Sequence, residues 1–425
     1  MLSKLKFLFT EKTLRNRVLF CLGILAIFRV LSTIPVPGVN TVALQSYLGD
    51  NGFFQVLNLF SGGGLSSLSI LMLGVGPYIT ASIVIQLLTM VFPKMKELQQ
   101  EEGAAGRQKL SQYSRLLSVP LALVQTFALV TLISRQSPQV FGALSAFGFV
   151  QIAIIVVASS VFLMWLGERL SEYGIGNGIS LIIATGIIAA LPQNLSRIYS
   201  TFDATQAPTL IAIVVVIILA IAAIVYITEA ERPIEVTYAR QARSLATQGV
   251  SGSSKTYIPI RLNQAGVMPI IFALTILMLP TFIGNIMANS AVAWVHTTGA
   301  FVVKWLADAW VYGILYFFLV FVFTYFYTAI TFDPKQISEN LQKQGAFLPG
   351  IRPGEQTMNH LAKIVTRTTL IGALFLGIIA VLPSIIQGLT GIGSIKIGGT
   401  GILIVVATVI EIIKKIDAQI GMRQY

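Results

Sequence analysis

Long apolar runs separated by short polar stretches dominate the chain. Ten of them read as membrane spans: 18–35, 70–92, 116–134, 147–167, 177–192, 208–227, 265–288, 311–330, 364–387 and 399–413. A helix needs about 20 mostly apolar residues to cross a hydrocarbon core of about 30 Å, so the fifth and tenth runs are short for the task. Apolar and polar residues do not alternate as they do in a transmembrane strand. Every crossing is therefore expected to be helical, the conformation that satisfies its own backbone in lipid. Lys4, Lys6, Lys12, Arg15 and Arg17 precede the first run as in a secretory leader. That run is too long for a leader, and Ile34-Pro35-Val36-Pro37 is a poor cleavage site, so it reads as a retained span.

Charge then orients the spans. With ten crossings both ends of the chain lie on one side, and that side collects 24 of the 29 Lys and Arg. The exceptions are Arg29, Arg135, Arg197, Lys304 and Lys396. The positive-inside rule makes the basic side cytoplasmic, with both termini there. Only 11% of the 425 residues are charged and mean hydropathy is +0.80. A soluble domain carries about 25% charged residues, which excludes that class, and a disordered chain with it. Topology accounts for much of the net charge of +12, so nucleic acid is not needed to explain it. The prediction is an all-α polytopic membrane protein. Ten spans divide five and five, and an odd number per half makes the halves inverted repeats, as in many transport folds.

Three loops on the basic side are long: 93–115, 228–264 and 331–363. Within the second, 237–246 suits a strand or a helical turn, and Gly249-Val250-Ser251-Gly252-Ser253-Ser254 a flexible tip. On the other side, Phe60-Ser61-Gly62-Gly63-Gly64-Leu65-Ser66-Ser67 directly precedes the second span. Three consecutive glycines do not hold a helix, and the segment is too polar to face lipid. It is either an outer loop or a short mobile element folded back into the bundle.

Catalytic chemistry is absent from the spans. Cys21 is the only cysteine, and His296 and His360 lie far apart, so no disulfide, cysteine-based metal site or histidine relay is available. Ion-coupled transporters place ionisable groups near the midplane. Here the mid-span polar groups are uncharged: Gln86, Gln125, Asn177 and Thr275. Each serves either as a helix–helix hydrogen bond or as a lining group. Ile79/Ile83 and Ile179/Ile183 share helix faces by their i, i+4 spacing. They read either as packing or as a hydrophobic constriction that closes a pore by dewetting.

Several runs keep a recognisable order and spacing across the whole chain. They are Ser69 to Leu88, with Gly74-Val75-Gly76-Pro77-Tyr78-Ile79-Thr80-Ala81-Ser82, and Trp165 to Ser180, with Gly167-Glu168-Arg169-Leu170-Ser171-Glu172-Tyr173-Gly174. Asn263-Gln264-Ala265-Gly266-Val267-Met268-Pro269, Ser338-Glu339-Asn340-Leu341, the stretch Gly345 to Gly354, and Gly398-Gly399-Thr400 follow in order. Together they resemble the signatures of the SecY/Sec61α family, and of its bacterial members in particular.

The resemblance implies a clamshell of two five-helix halves, about 1–192 and 208–425, joined by a hinge loop at 193–207. It implies a lateral gate between spans two/three and seven/eight, with Gln86, Gln125 and Thr275 as polar gate positions. The segment 58–68 would be a plug, a half-helix that includes Ser61, Gly62, Gly63, Gly64 and Leu65. Ile79, Ile83, Ile179, Ile183, Ile271 and Ile404 would form a pore ring. Arg352, Arg240 and Arg243 would dock a motor or ribosome, although the pair Arg240…Arg243 is split where bacterial relatives often have adjacent arginines. The implied activity is not enzymatic and uses no cofactor. It is a protein-conducting channel in the bacterial cytoplasmic membrane, translocating unfolded signal-bearing chains and releasing apolar segments into the lipid bilayer. Implied partners are SecE-like and SecG-like small subunits, a SecA motor ATPase, the ribosome, and signal peptides and nascent chains. The competing classes are a small-solute secondary transporter with broken helices, which mid-span charge would favour, and a membrane scaffold without a gated pore.

Overall fold

A computed structural model describes residues 11–40, 58, 61–65, 67–100, 103–141, 145–200, 207–238, 256–288, 290, 292–390 and 399–424. Arg240, Arg243, the tip 249–254 and Gly398 lie outside these. Each of the ten expected spans coincides with a helix. These are α1 (Lys12–Leu31), α2 (Gly76–Val91), α4 (Gly103–Gln136), α5 (Ala146–Tyr173), α6 (Gly178–Ser200), α7 (Ala207–Glu229), α8 (Met268–Ala288), α10 (Ala309–Thr331), α12 (Glu355–Thr390) and α13 (Gly399–Gln424). Among the described residues, three further helices of eight residues or more were not anticipated, α3 (Pro93–Gln100), α9 (Ala293–Ala307) and α11 (Pro334–Lys343), and neither was a single helical turn at Pro138–Phe141. Among the described residues, six helices are long and apolar enough by themselves to cross a membrane, and α2 and the Gly178–Pro192 part of α6 are shorter apolar helices.

The chain falls into two compact units. The first comprises Met1–Ala204, Met278–Ala307 and Ile392–Tyr425. Its core gathers Leu65, Leu68, Met72, Leu129, Ile133, Ile152 and Val156 from α4, α5 and the turns before α2. A smaller cluster of Leu14, Ile175 and Ile420 joins α1, the turn after α5 and α13. That turn demands small residues. A Cβ on Gly178 would lie 2.1 Å from the Gly167 carbonyl oxygen, so the backbones of α5 and α6 nearly touch. Asn177, expected as a mid-span amide, instead caps α6: its Oδ1 accepts from the backbone N–H groups of Ile179 at 3.1 Å and Ser180 at 3.4 Å. A side-chain acceptor of this kind meets donors that a helix start leaves unpaired.

The second unit comprises Thr205–Leu277 and Asp308–Gly391. In it α10 and α12 pack side by side, and Gly377 leaves room for the Phe317 ring, which a Cβ would meet at 2.7 Å. Beyond the helical crossings lies a three-stranded antiparallel sheet, ordered β2-β1-β3: β1 (Glu231–Tyr238), β2 (Thr256–Arg261) and β3 (Ala346–Phe347). Pro233 pairs with Pro259. Neither has an N–H, and antiparallel ladders alternate bonded and non-bonded rungs, so the pair costs the ladder nothing where it sits. The sheet buries Ile234, Val236 and Ile260 against Leu341, Leu348, Leu361, Ile364 and Val365. Of the stretch 237–246, which the sequence allows as a strand or a helical turn, Thr237 and Tyr238 close β1, which begins at Glu231, and 239–246 lie outside the described residues.

Candidate functional site

The glycine-rich segment is folded in. Ser61 and Leu65 are buried, and Leu65 and Leu68 belong to the main core of the first unit. The resemblance implied a half-helix, whereas residues 61–65 and 67–75 form a succession of tight turns around Gly62 (φ 64°), Gly63 (φ 90°) and Gly74 (φ 57°). Only glycine adopts such backbone without strain. The segment is also clasped. A Cβ on Gly62 would strike the Phe28 ring of α1 at 2.4 Å, and one on Gly186 of α6 would lie 2.1 Å from Gly62 Cα.

Non-helical backbone folded into a helical unit needs hydrogen-bond partners for its polar groups, and this segment has them. Val36 N–H donates to Leu68 O at 2.8 Å, Ile70 N–H to Ile34 O at 2.9 Å and Ser69 N–H to Gly64 O at 2.8 Å. Ser61 Oγ accepts from Leu65 N–H at 3.0 Å. From α5, Ser160 Oγ donates to Gly74 O at 3.1 Å, and the one Ser159 hydroxyl proton is shared between Ile70 O at 2.6 Å and Ile155 O of its own helix at 2.5 Å. Sequence reasoning passed over these two serines. The signal was available: adjacent hydroxyls inside an otherwise apolar span.

The six ring isoleucines occupy helices as spacing required: Ile79 and Ile83 on α2, Ile179 and Ile183 on α6, Ile271 on α8, Ile404 on α13. Five are buried; Ile179 is half-buried and packs toward Gly167 of α5, its Cγ1 3.2 Å from where a Cβ there would stand. Five of the six belong to the first unit and Ile271 to the second. Within the first unit α6 packs against α13, so the helices of Ile179, Ile183 and Ile404 are neighbours.

The gate amides behave differently from one another. Thr275 Oγ1 donates to Ile271 O of its own helix at 2.8 Å. Gln86 Nε2 donates to Ser82 Oγ at 3.2 Å, while its buried Oε1 has no partner among the described residues. A buried carbonyl without a donor costs about 1–3 kcal/mol. Gln125 is half-buried on α4.

Arg352 sits in the second unit on a stiff turn. Gly350 (φ 78°) and Gly354 (φ 97°) bracket it. Thr357 Oγ1 donates to Arg352 O at 2.9 Å, and Ser338 Oγ of α11 to Gly354 O at 2.7 Å. The side chain itself is exposed and forms no ion pair among the described residues. The neighbouring Leu348 and Ile351 anchor the turn in the cluster beneath the sheet. Another polar junction ties α4 to α5: Arg115 Nε donates to Glu168 Oε1 at 2.7 Å. Arg169 lies 5.6 Å from the centre of the Trp165 ring and 5.7 Å from that of Tyr173.

A model of the SecY family matches residues 69–413. This chain belongs to the SecY family. The protein translocase subunit SecY of Staphylococcus carnosus (strain TM300) is 37% identical over 431 residues, which cover 98% of this chain and 97% of that one. Two solved structures share the fold. One concerns the plug domain of SecY, which stabilises the closed state of the translocation channel and maintains a membrane seal. It matches with a TM-score of 0.67 at 20% identity, covering 96% of this chain and 92% of that one. The other is Sec61 in the canine ribosome–channel complex from the endoplasmic reticulum, with a TM-score of 0.64 at 20% identity and the same two coverages. The SecY-family chain is thus a multi-pass membrane protein with the fold of a protein-conducting channel, and the small-solute transporter reading gains no support from its relatives.

Proposed function

We propose that this chain is the pore-forming subunit of a Sec protein-conducting channel, passing unfolded signal-bearing polypeptides across the membrane and releasing apolar segments sideways into lipid. The full-length likeness to a SecY translocase subunit carries the reading. The clasped glycine segment supports a plug, since it fills the first unit's interior with backbone rather than with a removable side chain. The six isoleucines make a ring that offers ions no ligand and a passing chain no sticky contact. Gln86, Gln125 and Thr275 are gate positions, and the hinge expected at 193–207 shortens to the link between α6 and α7, because α6 continues to Ser200. The channel does no chemistry of its own; a motor ATPase such as SecA, the ribosome or the proton-motive force supplies the work. Arg352 is the best-presented docking residue, because its turn is rigid and its side chain free. Arg240 and Arg243 are secondary contacts. SecE-like and SecG-like subunits complete the assembly in a bacterial cytoplasmic membrane, with both termini inside.

The test is reconstitution. The chain, co-expressed with a SecE-like subunit and placed in liposomes with a SecA-type ATPase and ATP, should render a signal-bearing precursor protease-resistant. Uptake of small solutes without precursor protection would refute the reading. Gln344→Cys should label only from the cytoplasmic face, and labelling from outside would overturn the orientation.

A further inference from the structure

Helix α9 (Ala293–Ala307) has a three-sided surface that translocation does not explain. It is 15 residues long, about 22 Å at 1.5 Å per residue, too short to cross a core of about 30 Å. Only residues 289–292 separate it from α8, and only Asp308 from α10. Both flanking helices are spans, so both ends of α9 are held at the membrane surface, on the face opposite the basic loops. One side packs on the end of α8. There Gly299 lets the backbones close up, since a Cβ would lie 2.3 Å from Ala288 N, and Val302 and Val303 meet Gly284 at 3.1 and 3.2 Å from its Cβ position. Leu306 is buried on the same side.

The second side is aromatic. Trp294, Thr298, Phe301 and Trp305 follow at i, i+4, i+7 and i+11 and so form one stripe. Trp294, Phe301 and Trp305 are 71%, 67% and 51% exposed. Thr298 Oγ1 donates to Trp294 O at 2.8 Å, so the hydroxyl between the rings is satisfied within the helix. The third side carries His296, Thr297 and Lys304, all exposed. Three of the chain's four tryptophans fall within Trp294–Trp310.

We infer that α9 is an interfacial anchor: it lies in the plane of the outer leaflet, with the Trp294–Phe301–Trp305 stripe sunk about 5–10 Å into the headgroup–acyl boundary and Lys304 in water. Tryptophan suits that boundary because its ring is apolar and its indole N–H needs a polar partner. A water-facing stripe of three large rings is the costly alternative. Because α9 and the end of α8 are locked at Gly284 and Gly299, the anchor sets the depth of α8, the helix that carries Ile271 and Thr275.

The full chain in liposomes tests this through fluorescence. In two single-tryptophan forms, Trp165 and Trp310 are changed to Phe together with either Trp305→Phe or Trp294→Phe. Each remaining tryptophan should emit at blue-shifted wavelength, lose most of its emission to phospholipids brominated near the headgroup, and lose little to aqueous iodide. Strong iodide quenching with no effect of brominated lipid would place the stripe in water and overturn the proposal. Resistance to both quenchers would place it against protein, another chain or a second copy, and would overturn it equally. In a Lys304→Cys form, fast reaction with an impermeant maleimide from the outer side is expected; no reaction would mean that the whole helix is buried and would also defeat the assignment.

Discussion

The substitution Gly186→Ala tests the proposed plug seat more cleanly than deletion does. The new methyl carbon would stand 2.1 Å from Gly62 Cα, 2.7 Å from its carbonyl carbon and 2.9 Å from its oxygen. Carbon atoms rest at about 3.5–4.0 Å, so the segment must retreat by about 1.5 Å. It has nowhere to go, because the fully buried Phe28 ring closes the opposite side of Gly62. Forcing a methyl group into packed protein costs about 1–3 kcal/mol. Levied on the seated state alone, that cost shifts the seated–unseated equilibrium about 5–150-fold. The variant should fold, and in planar bilayers it should pass ions at rest where the parent is sealed. Gly23→Ala on α1 is the control, since nothing lies within 4 Å of its Cβ position. Deleting residues 61–65 should raise the leak of the parent but add little to Gly186→Ala, because both act on one element. If Gly186→Ala, shown to be folded, leaks no more than Gly23→Ala, the clasp between α6 and the segment does not seal the channel.

Three other substitutions probe the remaining parts. Ile404→Asn puts an amide where the parent side chain is 1% exposed, so it should raise resting conductance and admit substrates with weak signals. Ile218→Asn on α7, at a 59% exposed position, should do neither, and equal behaviour of the two would reduce the ring to packing. Gln86→Leu removes a buried carbonyl without a partner. It should raise the unfolding midpoint by removing a burden of about 1–3 kcal/mol and should slow lateral release of weakly apolar segments; an unchanged or lower midpoint would contradict the orphaned-carbonyl argument. Arg352→Glu should cut precursor translocation severely while leaving expression and small-subunit association intact, with Arg352→Lys intermediate; export at the parental rate would leave Arg352 as an orienting charge only.

The sequence alone was enough to reveal the crossings. Lipid cannot satisfy a bare peptide group, so a span must be a long apolar helix, and length plus hydropathy of a single segment settle its existence. That is why all ten runs, even the short one at 177–192, coincide with helices. The family signatures were legible for a similar reason, since they are local runs. What the tertiary structure decided were relations between segments. Nothing in Gly62-Gly63-Gly64 tells whether the turns lie outside or are clasped between Phe28 and Gly186. Asn177 looked like a mid-span amide until the turn at Gly174–Gly178 put it at a helix start. Gln86 and Thr275 were indistinguishable as polar mid-span residues, yet one hydroxyl closes on its own helix and one carbonyl is left unpaired. The stripe on α9 escaped notice because a hydropathy window sums residues without regard to the side they face, and the close approach at Gly299 that exposes that stripe is a property of two helices, not of one.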